Sequence, residues 1–288
     1  MNTQAELRRV VEQVRAQRAS DGDGVKLLRV FGGTRPERFD PFLMLDEFGS
    51  CEASDYIGGF PSHPHRGFET VTYMLEGKME HRDHLGNVGL INDSDVQWMT
   101  AGRGIIHSEM PRQTQGRMRG FQLWVNLPAA NKMKPAHYQD VSGDKIPKYD
   151  LEGLTVKAIA GATEVQGQSV SGYFQVPDTT ALFLDVHIEP EVSVDIAVPD
   201  AYTALVYTYE GEVALGDQPV PAPQQTLTRF NDSGALRIAH RAGGQARVIV
   251  LAGKPLREPI VQHGPFVMNT AAEIETAITD YQYGRLTG

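Results

Sequence analysis

Four side chains of metal-binding type lie in two short alternating motifs of the sequence. Pro64 separates His63 from His65, and one residue separates His107 from Glu109 in the same way. Residues two apart in an extended strand project to the same face, so each motif can present both of its side chains to one ion. Two such strands lying side by side predict a four-ligand cluster of three imidazoles and one carboxylate.

This ligand set, which has nitrogen and oxygen donors and no thiolate, predicts a divalent ion of borderline softness. Ligand type alone is compatible with iron, nickel, copper, zinc, manganese or cobalt. Four protein ligands leave two positions of an octahedral ion open, whereas a structural zinc site is closed, so the pattern is typical of a catalytic centre. Glu109 is the carboxylate of the set, and we therefore expect it to act both as a ligand and as a base for a substrate hydroxyl.

Short β-type segments separated by Gly, Pro, Asn and Asp must position these ligands. Many short strands with turn signals between them predict an all-β sandwich or barrel. The predicted strands are Val25 to Phe31, Phe68 to Leu75, Val96 to Thr100, Phe121 to Asn126, Thr155 to Ala160, Ala181 to Ile188, Tyr202 to Tyr209 and Arg247 to Ala252.

Helix signals occur only near the two ends of the sequence. At the start, a Thr3-x-x-Glu6 capping box precedes apolar residues at helical spacing, which predicts an amphipathic helix. At the end, a Thr270-x-x-Glu273 box precedes a second periodic segment, and Gly284 is placed to stop it. The apolar residues of the first segment are Leu7, Val10, Val11 and Val14, and those of the second are Ile274, Ala277, Ile278 and Tyr281.

An internal repeat divides the chain into two similar halves. Tyr73-Met-Leu-Glu-Gly77 aligns with Tyr207-Thr-Tyr-Glu-Gly211, and both segments lie where an apolar strand turns into a hairpin. A repeat of this size indicates two copies of one β-domain, since solenoid repeats are much shorter. With a linker around Pro128 to Pro135, we expect a metal-binding domain at residues 1–131 and a second domain at residues 132–288 that ends in a helix.

Composition excludes several classes of function. The formal charge of -9 argues against general affinity for a nucleic-acid backbone. The apolar runs are too short to span a membrane, and the first twenty residues lack the pattern of a secretory signal. The single cysteine, Cys51, cannot form an internal disulfide. We therefore expect a soluble protein in a cytoplasmic, reducing environment.

The sequence around the ligand motifs resembles the pirin family over essentially its whole length. The matching blocks are Asp40-Pro-Phe-Leu-Met-Leu-Asp-Glu-Phe48, Gly59-Phe-Pro-Ser-His-Pro-His-Arg-Gly-Phe-Glu-Thr70, Asp95-Val-Gln-Trp-Met-Thr-Ala-Gly-Arg-Gly-Ile-Ile-His-Ser-Glu-Met-Pro111, Gly120-Phe-Gln-Leu-Trp-Val-Asn-Leu-Pro128 and Gly264-Pro-Phe-Val-Met-Asn269. The resemblance implies a bicupin, which consists of two stacked antiparallel β-barrels with short flanking helices.

The resemblance also implies a cofactor and an activity. In pirins the positions of His63, His65, His107 and Glu109 hold iron(II), and all four are intact here. The implied activity is that of a quercetin 2,3-dioxygenase, an oxidoreductase that opens the ring of a flavonol or a similar enol or catechol with dioxygen. The alternative implied by the family is an iron-dependent redox-sensing regulator that binds a transcription factor or a metabolic enzyme without turnover.

The remaining candidate residues have weaker patterns. Glu69 is expected to support the metal or to bind it. His81 and His84 could line the mouth of the barrel, but their charged neighbours Arg82 and Asp83 indicate a solvated turn. The repeat aligns His63, His65 and Glu69 with Ala197, Pro199 and Thr203, so no metal site is expected in the second half. His187-x-Glu189 lies in an alternating strand and is interpreted as outward-facing. The apolar residues proposed as pocket walls are Phe42, Met44, Phe60, Trp98, Met99 and Phe121, each of which core packing also explains.

Overall fold

The computed structural model of the protein describes residues 6–33, 36–241 and 243–288, without the side chains of residues 36 and 37. The chain divides into two compact units. One consists of Gln17–Asp144 and Leu256–Gly288 and contains the three predicted histidine ligands; it is called the histidine unit. The other consists of Lys145–Pro255 with the N-terminal segment up to Ala16 and is called the second unit.

The histidine unit is built on antiparallel sheets. A seven-stranded sheet has the order β12-β9-β6-β11-β4-β3-β2, and a four-stranded sheet has the order β5-β10-β7-β8. A short hairpin, β25-β26, and helix α1 complete the unit. The elements are β2 (Gln17–Asp21), β3 (Val25–Phe31), β4 (Phe42–Ser50), β5 (Phe60–His65), β6 (Phe68–Glu76), β7 (Met79–Asp83), β8 (Val88–Ile91), β9 (Val96–Thr100), β10 (Ile105–Pro111), β11 (Met118–Asn126), β12 (His137–Val141), β25 (Val261–His263), β26 (Phe266–Met268) and α1 (Ala271–Gln282).

The second unit repeats this architecture. Its seven-stranded sheet has the order β1-β22-β19-β24-β17-β14-β13, and its six-stranded sheet has the order β16-β15-β18-β23-β20-β21. The strands are β1 (Val10–Arg15), β13 (Lys148–Leu151), β14 (Leu154–Ala160), β15 (Ala162–Val165), β16 (Gln168–Ser171), β17 (Leu182–Ile188), β18 (Ser193–Ile196), β19 (Thr203–Glu210), β20 (Glu212–Leu215), β21 (Val220–Pro223), β22 (Thr226–Phe230), β23 (Leu236–Ala239) and β24 (Ala246–Gly253).

The predicted all-β fold is confirmed, and each of the eight predicted strands is present, with bounds that differ from the expected ones by at most three residues. Within the described ranges, every sheet retains two free edges in its hydrogen-bonding order. Each predicted barrel therefore takes the form of two sheets around a core. In the second unit that core joins Leu184 and Val206 of the large sheet to Ile196 and Ile238 of the smaller one. Complete burial of one such side chain stabilises the fold by about 1.5–3 kcal/mol.

The prediction of a helix near the amino terminus is wrong. Thr3 of the predicted cap lies outside the described residues, and Val10–Arg15 forms strand β1, which pairs with β22 along the edge of the second unit. Val10 and Val14 are four residues apart, a spacing that fits one face of a strand as well as one face of a helix. Burial alternates with a period of two along β1, so pairing with an existing sheet edge decides between the two.

The bounds of the two units differ from the division expected at residues 131 and 132. Residues 132–144 continue the histidine unit, because β12 pairs with β9. The first residues belong to the second unit through β1, while residues 256–288 belong to the histidine unit. Each terminal segment thus belongs to the unit that is formed mainly by the opposite half of the sequence. A division based on the internal repeat cannot detect this exchange.

Helix α1 begins where the sequence predicts it. Thr270 accepts a hydrogen bond from the backbone N–H of Glu273, whose side chain returns to the backbone of Thr270. Ile274 and Ala277 are buried, and Gly284 follows the end of the helix in a left-handed conformation. In the part of the chain that is described, neither this helix nor any other is long and apolar enough to cross a membrane.

Candidate metal centre

Strands β5 and β10 place the histidines together. The two strands are antiparallel, and His107 pairs directly with His63, while Ile105 pairs with His65. The alternation of the pleat turns His63 and His65 to one face, as predicted from their spacing. The sheet register rather than any loop therefore aligns the three rings.

The three imidazoles converge closely enough to share one ion. One ring nitrogen from each of His63, His65 and His107 lies within 4.8 Å of the others. The Nε2 atoms of His63 and His65 are 3.0 Å apart. Nδ1 of His63 lies 2.8 Å from the carbonyl oxygen of Pro61 and donates to it, which leaves the lone pair on Nε2. Nε2 of His107 is buried and has no hydrogen-bond partner among the described residues.

Burial keeps the rings of His65 and His107 neutral. His65 and His107 are 2% and 1% exposed. Desolvation, assisted by the neighbouring imidazoles, holds the pKa of each well below its usual value. A neutral imidazole keeps the lone pair that a metal requires, and a cation placed between the rings would pair the free Nε2 of His107. The donors present thus fit a divalent ion.

Glu109 is buried but is held apart from the imidazole group. It follows His107 on β10 and is 3% exposed. Its Oε1 lies 2.9 Å from the hydroxyl of Thr72, and its Oε2 lies 3.4 Å from Nε2 of Gln122. The structure therefore brings three of the four predicted ligands together, and coordination by Glu109 stays a prediction.

Glu69 does not belong to the histidine cluster. Its side chain makes structural contacts instead. Its carboxylate accepts hydrogen bonds from Trp98 Nε1 at 3.0 Å and from Thr100 Oγ1 at 2.7 Å. Lys134 Nζ lies 3.3 Å away. These contacts cross-link β6, β9 and the segment before β12.

His81 is a residue of the centre that the sequence interpretation missed. It was expected in a solvated turn, but it is fully buried on β7, opposite Glu109 of β10. Its Nε2 lies 2.9 Å from Nδ1 of His107. The available signal was alternation, since Met79 and His81 are buried while Arg82 is exposed. His84, expected in the same turn, is exposed as predicted.

A cavity of about 690 Å³ opens next to the cluster. His63, His65 and Glu109 lie in its wall. Among the predicted apolar walls, Met44 and Phe60 contribute, whereas Phe42, Trp98, Met99 and Phe121 are packed in the core. Additional walls come from Leu27, Phe48, Pro61, Gln122, Trp124, Gln262, Gly264 and Pro265, and charged ones from Asp21, Asp23, Arg29 and Asp46.

An ion pair stiffens the charged wall of this cavity. Arg29 donates from Nε and Nη2 to the two oxygens of Asp46 at 3.0 and 2.8 Å, and from Nη2 to Asp21 at 2.9 Å. Burial raises the pKa of the Asp46 carboxyl, and the Arg29 guanidinium opposes that rise. Because Arg29 is bidentate to a buried carboxylate, both side chains have fixed positions beside the cluster.

The carboxyl-terminal segment closes one side of the site. Arg66, which directly follows the predicted ligand His65, is buried and donates to Asp280 of α1 at 2.9 Å and to the carbonyl oxygen of Leu286 at 3.1 Å. Lys132 donates to the carbonyl oxygens of Gly67 and Val267 at 2.7 and 3.0 Å. These bonds tie the end of β5 to the segment that supplies the last wall of the cavity.

Comparison with known proteins agrees with this architecture. The Pirin family matches residues 24–125, and the Pirin C-terminal cupin domain matches residues 183–287. A Pseudomonas aeruginosa protein that bears the provisional name of a quercetin 2,3-dioxygenase is 52% identical, over 97% of this chain and 98% of its own length. Human pirin is 39% identical, over 96% of this chain and 92% of its own.

A solved structure extends the agreement to three dimensions. The crystal structure of quercetin 2,3-dioxygenase from Acinetobacter baumannii superposes with a TM-score of 0.87 at 33% identity and covers 97% of this chain and 98% of its own. Identity at this level over nearly the full length of both chains, together with the paired cupin architecture, leads to one assignment: the chain belongs to the pirin family.

Proposed function

We propose that this protein is a metal-dependent dioxygenase of the quercetin 2,3-dioxygenase type. Its substrate would be a flavonol or a similar aromatic enol or catechol, and its cofactor one iron(II) held by His63, His65, His107 and Glu109. The observation that carries the proposal is the convergence of three imidazoles, within 4.8 Å of one another, at the wall of a cavity large enough for a flavonol. The names of the relatives support the same reaction class.

The donor set supports a redox-active borderline ion. Three imidazoles and one carboxylate suit iron(II), and the same set accepts nickel, copper, zinc, manganese or cobalt. When bound, the ion would supply open coordination positions and the electronic chemistry that dioxygen and an enol oxygen require. The side chains of the protein would carry out the remaining parts of the reaction.

Glu109 is the group placed to handle the proton of the substrate. A flavonol must lose a hydroxyl proton before its ring is opened, and the Glu109 carboxylate lies in the cavity wall. Thr72 and Gln122 contact its two oxygens and orient it toward the cavity. A base oriented in this way contributes roughly 10²–10⁴-fold to the rate of a proton transfer.

The apolar walls would hold a flat aromatic ring system. Trp124 lies 5.4 Å from the ring of His65 and 4.4 Å from that of Phe68, so it forms a rigid surface beside the cluster. Phe60 and Met44 provide further apolar contacts in the cavity wall. These side chains exclude water from the reacting carbon atoms, which strengthens the electrostatic contacts within the site.

Turnover of quercetin tests the proposal directly. Metal-free protein is loaded anaerobically with iron(II), quercetin and dioxygen are added, and the loss of flavonol absorbance is followed together with release of carbon monoxide. We expect turnover by the loaded protein and a decrease of at least about 10²-fold in kcat for Glu109→Gln, which keeps the size of the side chain but removes the base. Tight iron binding without turnover of any flavonol or catechol would contradict the proposal and would favour the regulatory alternative.

A further inference from the structure

A fourth histidine, His81, contacts the proposed metal centre but is not one of the proposed ligands. It has no exposed surface, and its Nε2 lies 2.9 Å from Nδ1 of His107. Its second nitrogen, Nδ1, is buried with no hydrogen-bond partner among the described residues. Buried side-chain nitrogens are nearly always paired, so a histidine kept in this position calls for an explanation.

The direction of the hydrogen bond between the two rings determines whether His107 can bind an ion. If His81 donates from Nε2, then His107 carries its hydrogen on its own Nε2 and cannot coordinate an ion there. If His107 donates from Nδ1, its Nε2 keeps a free lone pair. The second arrangement places the hydrogen of His81 on its Nδ1. Only this arrangement is compatible with an ion bound by Nε2 of His107.

Sheet pairing and an aromatic neighbour fix the ring of His81. It pairs with Glu109 across β7 and β10, so its Cβ position is set by the sheet. The ring of Tyr138, from β12, contacts it edge to face at a centroid distance of 4.6 Å and an angle of 70°. A ring held by its strand on one side and an aromatic face on the other keeps Nε2 aimed at His107.

We infer that His81 is a positioning residue of the metal centre: it accepts the Nδ1 hydrogen of His107 and thereby keeps Nε2 of that ligand free and aimed at the ion. A hydrogen bond of this kind also makes the ligand nitrogen more basic. The inference rests on the proposed metal centre. It adds a residue that does not touch the metal and that the ligand motifs do not contain.

Cobalt(II) binding tests this role without any catalytic assay. The full-length protein is stripped of metal and titrated with cobalt(II), and the visible absorption bands and the dissociation constant are recorded. We expect His81→Phe and His81→Leu, which lack any hydrogen-bond acceptor in the side chain, to bind cobalt(II) about 10- to 100-fold more weakly. We expect His81→Gln to recover most of the affinity and the wild-type spectrum, because its amide oxygen can accept the same hydrogen.

The control is His84→Gln, which changes an exposed histidine of the same hairpin and should leave both readouts unchanged. A merely structural role would lower the melting temperature of the metal-free variants and leave cobalt affinity intact. Affinity of either acceptor-free variant within twofold of wild type would overturn the inference. Failure of the wild-type protein to bind cobalt(II), iron(II) or nickel(II) would instead refute the proposed metal centre itself.

Discussion

The two units share a fold and differ in what lies at the ends of equivalent strands. β5 and β10 occupy the places in their sheet that β18 and β23 occupy in the other. In the histidine unit these strands present three imidazoles, whereas the repeat aligns His63 and His65 with Ala197 and Pro199, just after β18. Core residues maintain the same strand order in both units. The residues at the strand ends can therefore differ in function.

The second unit uses the same region to hold a guanidinium. Arg8 has no exposed surface and donates to four backbone carbonyl oxygens, one of them that of Pro199 at 2.8 Å. The other three acceptors are the carbonyl oxygens of Tyr202, Asn231 and Gly234. Burial lowers the pKa of Arg8, while Asp200 and Asp232 oppose that change. A structural cation thus lies beside the counterpart of His65.

The cavities differ in the same way. The cavity of the histidine unit has a volume of about 690 Å³ and contains charged residues and Trp124, whereas the corresponding one has about 380 Å³. In equivalent pairs of strands, β24 has Ala252 where β11 has Trp124, and β17 has Leu182 where β4 has Met44. One scaffold thus carries a candidate metal centre in the histidine unit and a structural cation in the second unit, which agrees with the view that function belongs to the site rather than to the fold.

The largest effect is expected from removal of a ligand in the histidine unit. His107→Ala should weaken iron(II) binding by more than about 100-fold, since loss of an outer partner alone costs about 10- to 100-fold. Quercetin turnover should disappear with the metal. Metal content after dialysis and flavonol absorbance measure the two effects.

A matched substitution in the second unit tests whether metal binding belongs to the histidine unit alone. His187→Ala alters a histidine of β17 that contacts Asp185 at 3.1 Å, away from any predicted ligand. It should leave metal content unchanged. Equal loss of iron from both variants would show that the two units do not divide the functions as proposed.

Removal of the structural cation is the reverse experiment. Arg8→Ala should lower the free energy of unfolding by roughly 3 kcal/mol, because each buried carbonyl group left unpaired costs about 1–3 kcal/mol and water replaces part of the loss. Metal affinity of the folded protein should not change. Urea denaturation measures the first effect and cobalt(II) titration the second.

Arg9→Ala provides the control, because Arg9 is the exposed neighbour of Arg8 on the same segment. Its stability should remain within about 0.5 kcal/mol of wild type. A similar loss in both variants would mean that the N-terminal segment as a whole, rather than the buried guanidinium, stabilises the second unit.

The strands and the convergence of the three histidines could be predicted because each depends on local pattern. His63 and His65 meet His107 through the period-two alternation of paired strands, which the sequence displays directly. Register, by contrast, is a property of two strands at once. His81 becomes a partner of His107 only because β7 and β10 pair so that it lies opposite Glu109. Its charged neighbours Arg82 and Asp83 resembled a turn and gave no indication of that pairing.

Contacts with residues that are distant in sequence explain the other differences between the predictions and the structure. Val10, Val11 and Val14 fit a helical stripe, but the open edge of β22 receives the segment as a strand. Similarly, Glu69 lies near the ligand motif in sequence, yet Trp98 and Thr100 of the adjacent strand take up its oxygens. In each case the deciding partner is distant in sequence, and periodicity within one segment contains no information about it.

Acid should destabilise the metal-free histidine unit selectively. Burial lowers the pKa of His65, His81 and His107 in the folded state, so around pH 6.5 and below the unfolded chain binds protons that the folded one does not. Stability is then lost as the pH falls through about 6.5, by up to about 1.4 kcal/mol per pH unit for each such histidine. Urea denaturation of metal-free protein between pH 7.5 and 5 measures the slope.

His65→Gln should reduce this slope, because it removes one of the buried imidazoles, while the exposed His84→Gln should not. A slope that is the same in wild type and His65→Gln would show that the groups responsible lie elsewhere. Added zinc(II) should flatten the profile of the wild type above pH 6, since a bound ion competes with protons for the same nitrogens.

The smallest effect is expected at helix α1, which has no counterpart among the described residues of the second unit. Thr270→Ala removes the cap that accepts the Glu273 N–H and should cost about 1 kcal/mol of stability. Asp280 of the same helix holds Arg66 beside the proposed ligand His65, so fraying should also speed the release of cobalt(II) without changing its absorption spectrum. Thr279→Ala, an exposed change within the same helix, is the control and should leave both properties unchanged. Unaltered release rates in Thr270→Ala would mean that the walls supplied by residues 262–265 stay in place without the helix, and the closing segment would then be passive.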